Sequence, residues 1–195
     1  MIIKILGAGK MVTGSCYSIT TKEEKILVDC GMFQGSKDME RMNYEDFSFN
    51  PKEYNALILT HAHLDHCGRI PKLVKYGFRG KIFATDATRD LAFVIMMDSA
   101  NIAKQDTEHE NKRRRKEGLP ARKPLYNEED VRTAMKLFEI VEYDEDVKIT
   151  GNILARYYDA GHILGAASIE LAIKEGKKKT IVSFSGDLGQ KESIV

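Results

Sequence analysis

Short apolar runs broken by glycine-bearing turns open the chain. Residues 2–6 and 15–20 read as strands, and 25–28 as a third that runs into Asp29-Cys30-Gly31. Ala56-Leu57-Ile58-Leu59 reads as a buried strand. Residues 36–44 read as a short polar helix or loop. Helical spacing then predicts a helix over 68–76, with Pro71 in its first turn and Gly77 ending it. A short strand is expected at 81–84. Thr85 or Asp86 can cap a long helix with apolar positions at Ala87, Leu91, Val94, Ile95 and Ile102. That stripe fades into the basic run 112–116 and then Gly118-Leu119-Pro120, which reads as an exposed, mobile segment. Asn127 caps a further helix with Val131, Ala134, Met135 and Phe138 on one face. Strands are expected at about 138–143, 146–150 and 152–158. Residues 166–173 and 180–185 alternate and pair as a hairpin across 174–179. Strands, then interspersed helices, then strands indicate a layered α/β domain.

A chain of 195 residues can bury one substantial core. Its formal net charge of +1 advertises no polyanion partner. No apolar run is long enough for a membrane span, and the N-terminus reads as a strand, not a signal peptide. Cys16, Cys30 and Cys67 are an odd, scattered set, which points to reduced thiols and a cytoplasmic setting. Gly7-Ala8-Gly9 begins like a dinucleotide fingerprint, but Val12 stands where the third glycine is due, so nucleotide binding is rejected.

The chemistry concentrates in Thr60-His61-Ala62-His63-Leu64-Asp65-His66-Cys67-Gly68. Three of the five histidines sit here. His61 and His63, two apart, point the same way from an extended segment. A turn into the following helix can bring Asp65 and His66 beside them, which suits two adjacent metals with N and mixed N/O ligands. Cys67 is not needed in that set. His162, between glycines, could add a third imidazole, and Asp187 in Ser185-Gly186-Asp187-Leu188-Gly189 a bridging carboxylate. Asp29, at the end of an apolar strand, either caps the next turn or holds a ligand histidine in one tautomer. His109, amid charges, reads as a surface residue.

Asp29, His61-x-His63-x-Asp65-His66, His162 and Asp187, in this order, resemble the first four motifs of the metallo-β-lactamase fold. The words Val12-Thr13-Gly14-Ser15, 27–35, 59–71, 161–166 and 184–189 resemble its β-CASP RNA-processing branch, which includes ribonuclease J and the mRNA 3′-end processing nucleases. The resemblance implies an αββα sandwich and a zinc-dependent hydrolase that cleaves RNA phosphodiester bonds through a metal-bridging hydroxide. It implies that His61, His63 and His162 bind one Zn²⁺, that Asp65 and His66 bind a second, and that Asp187 bridges them. Asp65 would also orient the nucleophile, and Asp29 would support a ligand histidine from behind; these two are the candidate catalytic residues. Arg113, Arg114, Arg115 and Lys116 could contact RNA phosphates, against the plainer reading of a solvated helix end.

In the family, a β-CASP domain follows the SGDLG word, and the chain then returns with closing strands and a last histidine. Here no histidine follows His162. Residues 1–195 therefore read as the N-terminal part of the domain, an incomplete sandwich without the β-CASP insert, with the second zinc site incomplete. A homodimer mate or a complementing C-terminal half should cover its open apolar surface. Two rival readings remain: a thioesterase or lactonase of the same fold, or a truncated, non-catalytic binding or assembly module.

Overall fold

The computed structural model describes residues 1–189. Two sheets stack face to face, and helices cover the outer face of one of them. The first sheet has the order β1 (Ile2–Gly7), β2 (Cys16–Thr20), β3 (Lys25–Val28), β4 (Ala56–Ile58), β5 (Lys81–Ala84) and β6 (Phe138–Ile140). The β1–β3 strands run antiparallel, and β3–β6 are parallel. The second sheet is antiparallel: β10 (Lys178–Phe184), β9 (Ala167–Glu175), β8 (Ile153–Asp159) and β7 (Asp146–Lys148).

Alternation along β3 and β4 sorts two cores. Ile26, Val28, Ala56 and Ile58 point at the second sheet and meet Ile153, Ala155, Tyr157, Ile169 and Leu171. Leu27, Leu57 and Leu59 point the other way, against helices α2 (Leu64–Cys67), α3 (Ile70–Lys75), α4 (Asp86–Lys116) and α5 (Glu128–Met135). This period of two on a doubly covered sheet explains the unbroken apolar run at 56–59. Tyr157 adds a polar tie between sheets, its hydroxyl donating to the Phe83 carbonyl at 3.0 Å. The outer face of the second sheet carries Leu154, Tyr158 and Ile181, all exposed, so three layers of the expected αββα sandwich lie among the described residues.

The structure shifts or corrects four expectations. The helix expected over 68–76 is α3, which starts two residues late at Ile70 and is separate from the single turn α2 before it. The Arg69 amide bonds the Cys30 carbonyl at 2.8 Å instead of continuing the ladder, and Pro71 has no amide to donate. The long helix buries Thr88, Ala92, Met96 and Ala100, an i+4 row, while Val94 and Ile102 are exposed. The run 112–116 is the regular last turns of α4, not a loose segment. Asn111 clamps it to residue 122 through both groups of its amide. The strand expected over 138–143 is only β6; after it Tyr143 makes a lone bridge to Tyr157. Residues 36–44 contain a short helix, α1 (Lys37–Met42). Among the described residues, no helix is long and apolar enough to cross a membrane.

Candidate metal centre

The expected metal ligands lie just beyond the C-terminal ends of β4, β8 and β10, and Asp29 just beyond that of β3. At the end of β3, Asp29 adopts φ 57°, a left-handed turn that sends its carboxylate sideways under β4. Its Oδ1 accepts the Thr60 amide at 2.8 Å, and its Oδ2 lies 2.8 Å from His66 Nδ1. The Thr60 hydroxyl donates to Oδ2 at 2.9 Å and lies 3.0 Å from His61 Nδ1. Of the two sequence readings, the geometry takes the second: the carboxylate contacts Thr60, Ser15 and His66 and makes no hydrogen bond to the turn that follows it among the described residues. It is buried, and its carboxylate is engaged by Thr60 and lies beside His66, so it positions other groups.

The single turn of α2 explains how Asp65 and His66 come round beside His61 and His63. The amides of both His66 and Cys67 bond the His63 carbonyl, reversing the chain at once. Gly31 makes room for that turn: a Cβ there would sit 1.5 Å from the Asp65 carbonyl oxygen. Gly189 plays the same part for the two distal loops, since its Cβ would lie 1.5 Å from the Gly161 oxygen. The Gly189 amide bonds the Ala160 carbonyl at 3.0 Å, locking the His162 loop to the Asp187 loop.

His61, His63, His162 and Asp187 each offer a donor atom, and these atoms lie within 4.8 Å of one another. His162 Nε2 is 3.2 Å from His63 Nδ1. The two oxygens of Asp187 face different ways. Oδ2 is 3.6 Å from His162 Nε2 and 3.8 Å from His61 Nε2, whereas Oδ1 is 3.4 Å from His66 Nε2. Asp65 Oδ2 stands 3.8 Å from the same His66 nitrogen. One carboxylate therefore lies between an all-imidazole set and a mixed set.

Electrostatics separate the two sets. Burial, then the neighbouring imidazoles of His66, His63 and His162, push the His61 pKa down to about 2. The His61 ring is neutral, and its Nε2 is buried with no hydrogen-bond partner among the described residues. A buried, unpartnered nitrogen is costly, and a cation bound there would satisfy it. For His66, burial alone would depress the pKa. The hydrogen bond and charge of Asp29, with Asp65 and Asp187, outweigh it and raise the pKa. Neutral imidazoles plus carboxylates are the donor set of zinc and similar divalent ions.

The other sequence candidates fall elsewhere. Cys67 is turned away, its thiol donating to the Ala62 carbonyl at 3.2 Å, and burial raises its pKa. Arg113–Lys116 do not form one patch, because a helix turns successive side chains about the axis. Arg113 opens onto a surface cleft, and Arg114 turns inward to the Pro120 carbonyl. Arg115 and Lys116 are exposed, with no ion pair among the described residues. Thr60 was missed as a functional residue. Its only signal was its place between an apolar strand and the first histidine.

A profile of the metallo-beta-lactamase superfamily matches residues 10–82. The chain is 36% identical to a ribonuclease of Thermus thermophilus over 195 residues, all of this chain and 39% of that one. It is 34% identical to an RNase J-like protein of Methanocaldococcus jannaschii, over 97% of this chain and 37% of that one. It is 32% identical to cleavage and polyadenylation specificity factor 73 of Drosophila melanogaster, over 97% of this chain and 25% of that one. The chain thus spans well under half the length of these curated relatives. Among solved structures, the subclass B3 metallo-beta-lactamase MEM-A1 from a soil metagenome library superposes with a TM-score of 0.53 at 18% identity, covering 93% of this chain and 59% of that one. A Cronobacter sakazakii metallo-beta-lactamase with a HARLDQ motif gives 0.56 at 17% identity, covering 93% and 55%. At these identities the superpositions speak for the fold.

Proposed function

We propose that residues 1–195, which share the metallo-β-lactamase fold, are the N-terminal part of a zinc-dependent ribonuclease and hold most of its metal centre. The observation that carries this reading is Asp187, whose two oxygens divide between His61/His162 and His66. The ribonuclease and RNA-processing names of its relatives support RNA as the substrate.

His61, His63 and His162, with Asp187 Oδ2, would hold one Zn²⁺. Asp65, His66 and Asp187 Oδ1 would hold the second, with fewer donors. Two such ions lower the pKa of water toward 7 and offset charge on phosphoryl oxygens. The chain's own residues fix the frame. Asp29 accepts from His66 Nδ1–H and leaves Nε2 facing the cleft. Thr60 accepts from His61 Nδ1–H and passes its own proton toward Asp29, which leaves the His61 Nε2 lone pair free. Asp65, partly exposed at the rim, can orient the attacking water and take its proton.

Three buried free thiols, Cys16, Cys30 and Cys67, support a reducing compartment such as the cytoplasm. The exposed Leu154, Tyr158 and Ile181 support a covering surface from a second copy or a complementing C-terminal half.

The test is metal-stripped protein reloaded with zinc, on end-labelled single-stranded RNA, with a thioester and a lactone as controls. Zinc-dependent, chelator-sensitive cleavage of RNA alone is expected. Hydrolysis of a control with intact RNA would transfer the site to the rival enzyme class, and zinc binding with no hydrolysis would indicate a binding module. Zinc titration should show one ion held tightly and a second held weakly.

A further inference from the structure

Away from the metal centre, a cleft of about 720 Å³ opens between α1 and the distal half of α4. Lys37 and Arg41 line one wall at helical spacing, with Tyr44 just past the end of that helix. Arg113 of α4 lies opposite, and Arg122 and Lys123 form a third side. That third side is fixed in place. The Asn111 side chain donates to the Arg122 carbonyl at 2.9 Å and accepts its amide at 2.7 Å, and Arg114 Nε donates to the Pro120 carbonyl at 2.7 Å. The groove is therefore preformed.

Three carboxylates, Glu40, Asp106 and Glu110, also line it, against five cations. Glu110 is taken up by Arg122 at 3.1 Å. Arg41 and Arg113 pair outside the groove with Asp38 at 3.1 Å and Glu117 at 3.8 Å, exposed helix pairs that a phosphate can replace. Lys37 and Lys123 have no ion-pair partner among the described residues. Tyr44 is 58% exposed beside these charges. Cations that track a backbone, with an exposed ring on which a base can stack, suit single-stranded nucleic acid. An acidic polypeptide would use the cations and leave the ring idle.

Position supports the same partner. The Ser99 hydroxyl contacts Met32 Sδ at 3.9 Å, and the Met32 amide bonds the Leu64 carbonyl at 2.9 Å, so Ser99 marks the level of the metal-bearing turn. Residues 106 and 113 lie about 10 and 20 Å further along α4, at 1.5 Å per residue. We propose that this cleft is an exosite that grips the backbone of single-stranded RNA and stacks a base on Tyr44. The proposal rests on the RNA reading of the metal centre but is tested apart from it.

The experiment is fluorescence anisotropy with a labelled single-stranded RNA twelve-mer, in chelator so that nothing is cleaved, across a salt series. The variants are Lys37→Gln/Arg41→Gln/Lys123→Gln together, Tyr44→Leu and Tyr44→Phe, each checked for an unchanged circular dichroism spectrum. The triple variant should weaken binding about tenfold or more and flatten the log–log salt slope by about 2, given about 0.7 per lost phosphate contact. Tyr44→Leu should weaken binding, and Tyr44→Phe should restore it. Unchanged affinity and slope in the triple variant would overturn the exosite. So would a Tyr44→Leu variant that binds like wild type while polyglutamate competes as well as RNA, which would identify an acidic protein partner. Failure of the wild type to cleave RNA with zinc would count against the metal-centre reading and leave this result standing.

Discussion

Thr60 and Asp29 are joined twice over. The Thr60 amide meets Asp29 Oδ1 at 2.8 Å, and its hydroxyl meets Oδ2 at 2.9 Å. Through that hydroxyl the carboxylate reaches His61, and directly it reaches His66. One buried acid thereby orients a histidine of each proposed ion site.

Thr60→Val keeps the shape and removes the hydroxyl that fixes the His61 tautomer. Zinc affinity, read by competition with a chelating dye, should fall about 10- to 100-fold, the usual cost of losing such a supporting contact. Thr60→Ser should restore it. Equal affinity in all three proteins would disconnect Thr60 from the metal.

Asp187→Ala removes the only carboxylate placed between His61/His162 and His66 among the described residues. Zinc bound per chain at saturation, read by calorimetric titration, should fall by the weaker ion. RNA cleavage should drop on the order of 100-fold or more. An unaltered metal content would exclude Asp187 as a bridge.

Gly31→Ala would put a methyl 1.5 Å from a backbone oxygen of α2. Backbone cannot rotate aside as a side chain can. A loss of about 3 kcal/mol or more in urea unfolding is expected. Gly118→Ala, where a Cβ meets nothing within 4 Å, is the contrast, although its φ of 71° still favours glycine.

Lys72 is buried, and its ammonium donates to the Asn43 carbonyl at 2.7 Å and also to that of Glu45, pinning the 43–45 loop. Lys72→Met should cost about 1–3 kcal/mol by leaving those carbonyls short of donors. Burial, then the charge of Arg69, lowers the Lys72 pKa below 10.5. The unfolded chain therefore binds this proton more tightly than the folded one. The resulting cost is complete below the depressed folded pKa and is relieved as pH rises from there to 10.5. Over that window, urea titrations should show wild type gaining on Lys72→Met; a constant gap would deny the shift.

Most strands were legible in the sequence because their signal is local. The run 56–59 and the alternation of 166–173 each fix one residue's direction from its neighbours. The breaks that failed depended on distant partners. Nothing near Arg69 announces that its amide will leave the helix ladder for Cys30. The apolar positions of α4 did not reveal that the small residues Ala92 and Ala100 would face the core, because close packing there selects size as well as polarity.

The sequence by itself determined the donor types of the site and their order along the chain, because histidines and aspartates set between strands and glycines carry their chemistry wherever they fold. Only the tertiary structure decided how they meet: which Asp187 oxygen turns to which histidine, that Asp29 reaches His66 through space, and that Thr60 links it to His61. Those relations depend on ångström-scale distances between segments up to 127 residues apart in number, from residue 60 to residue 187, and a one-dimensional pattern contains no such distances.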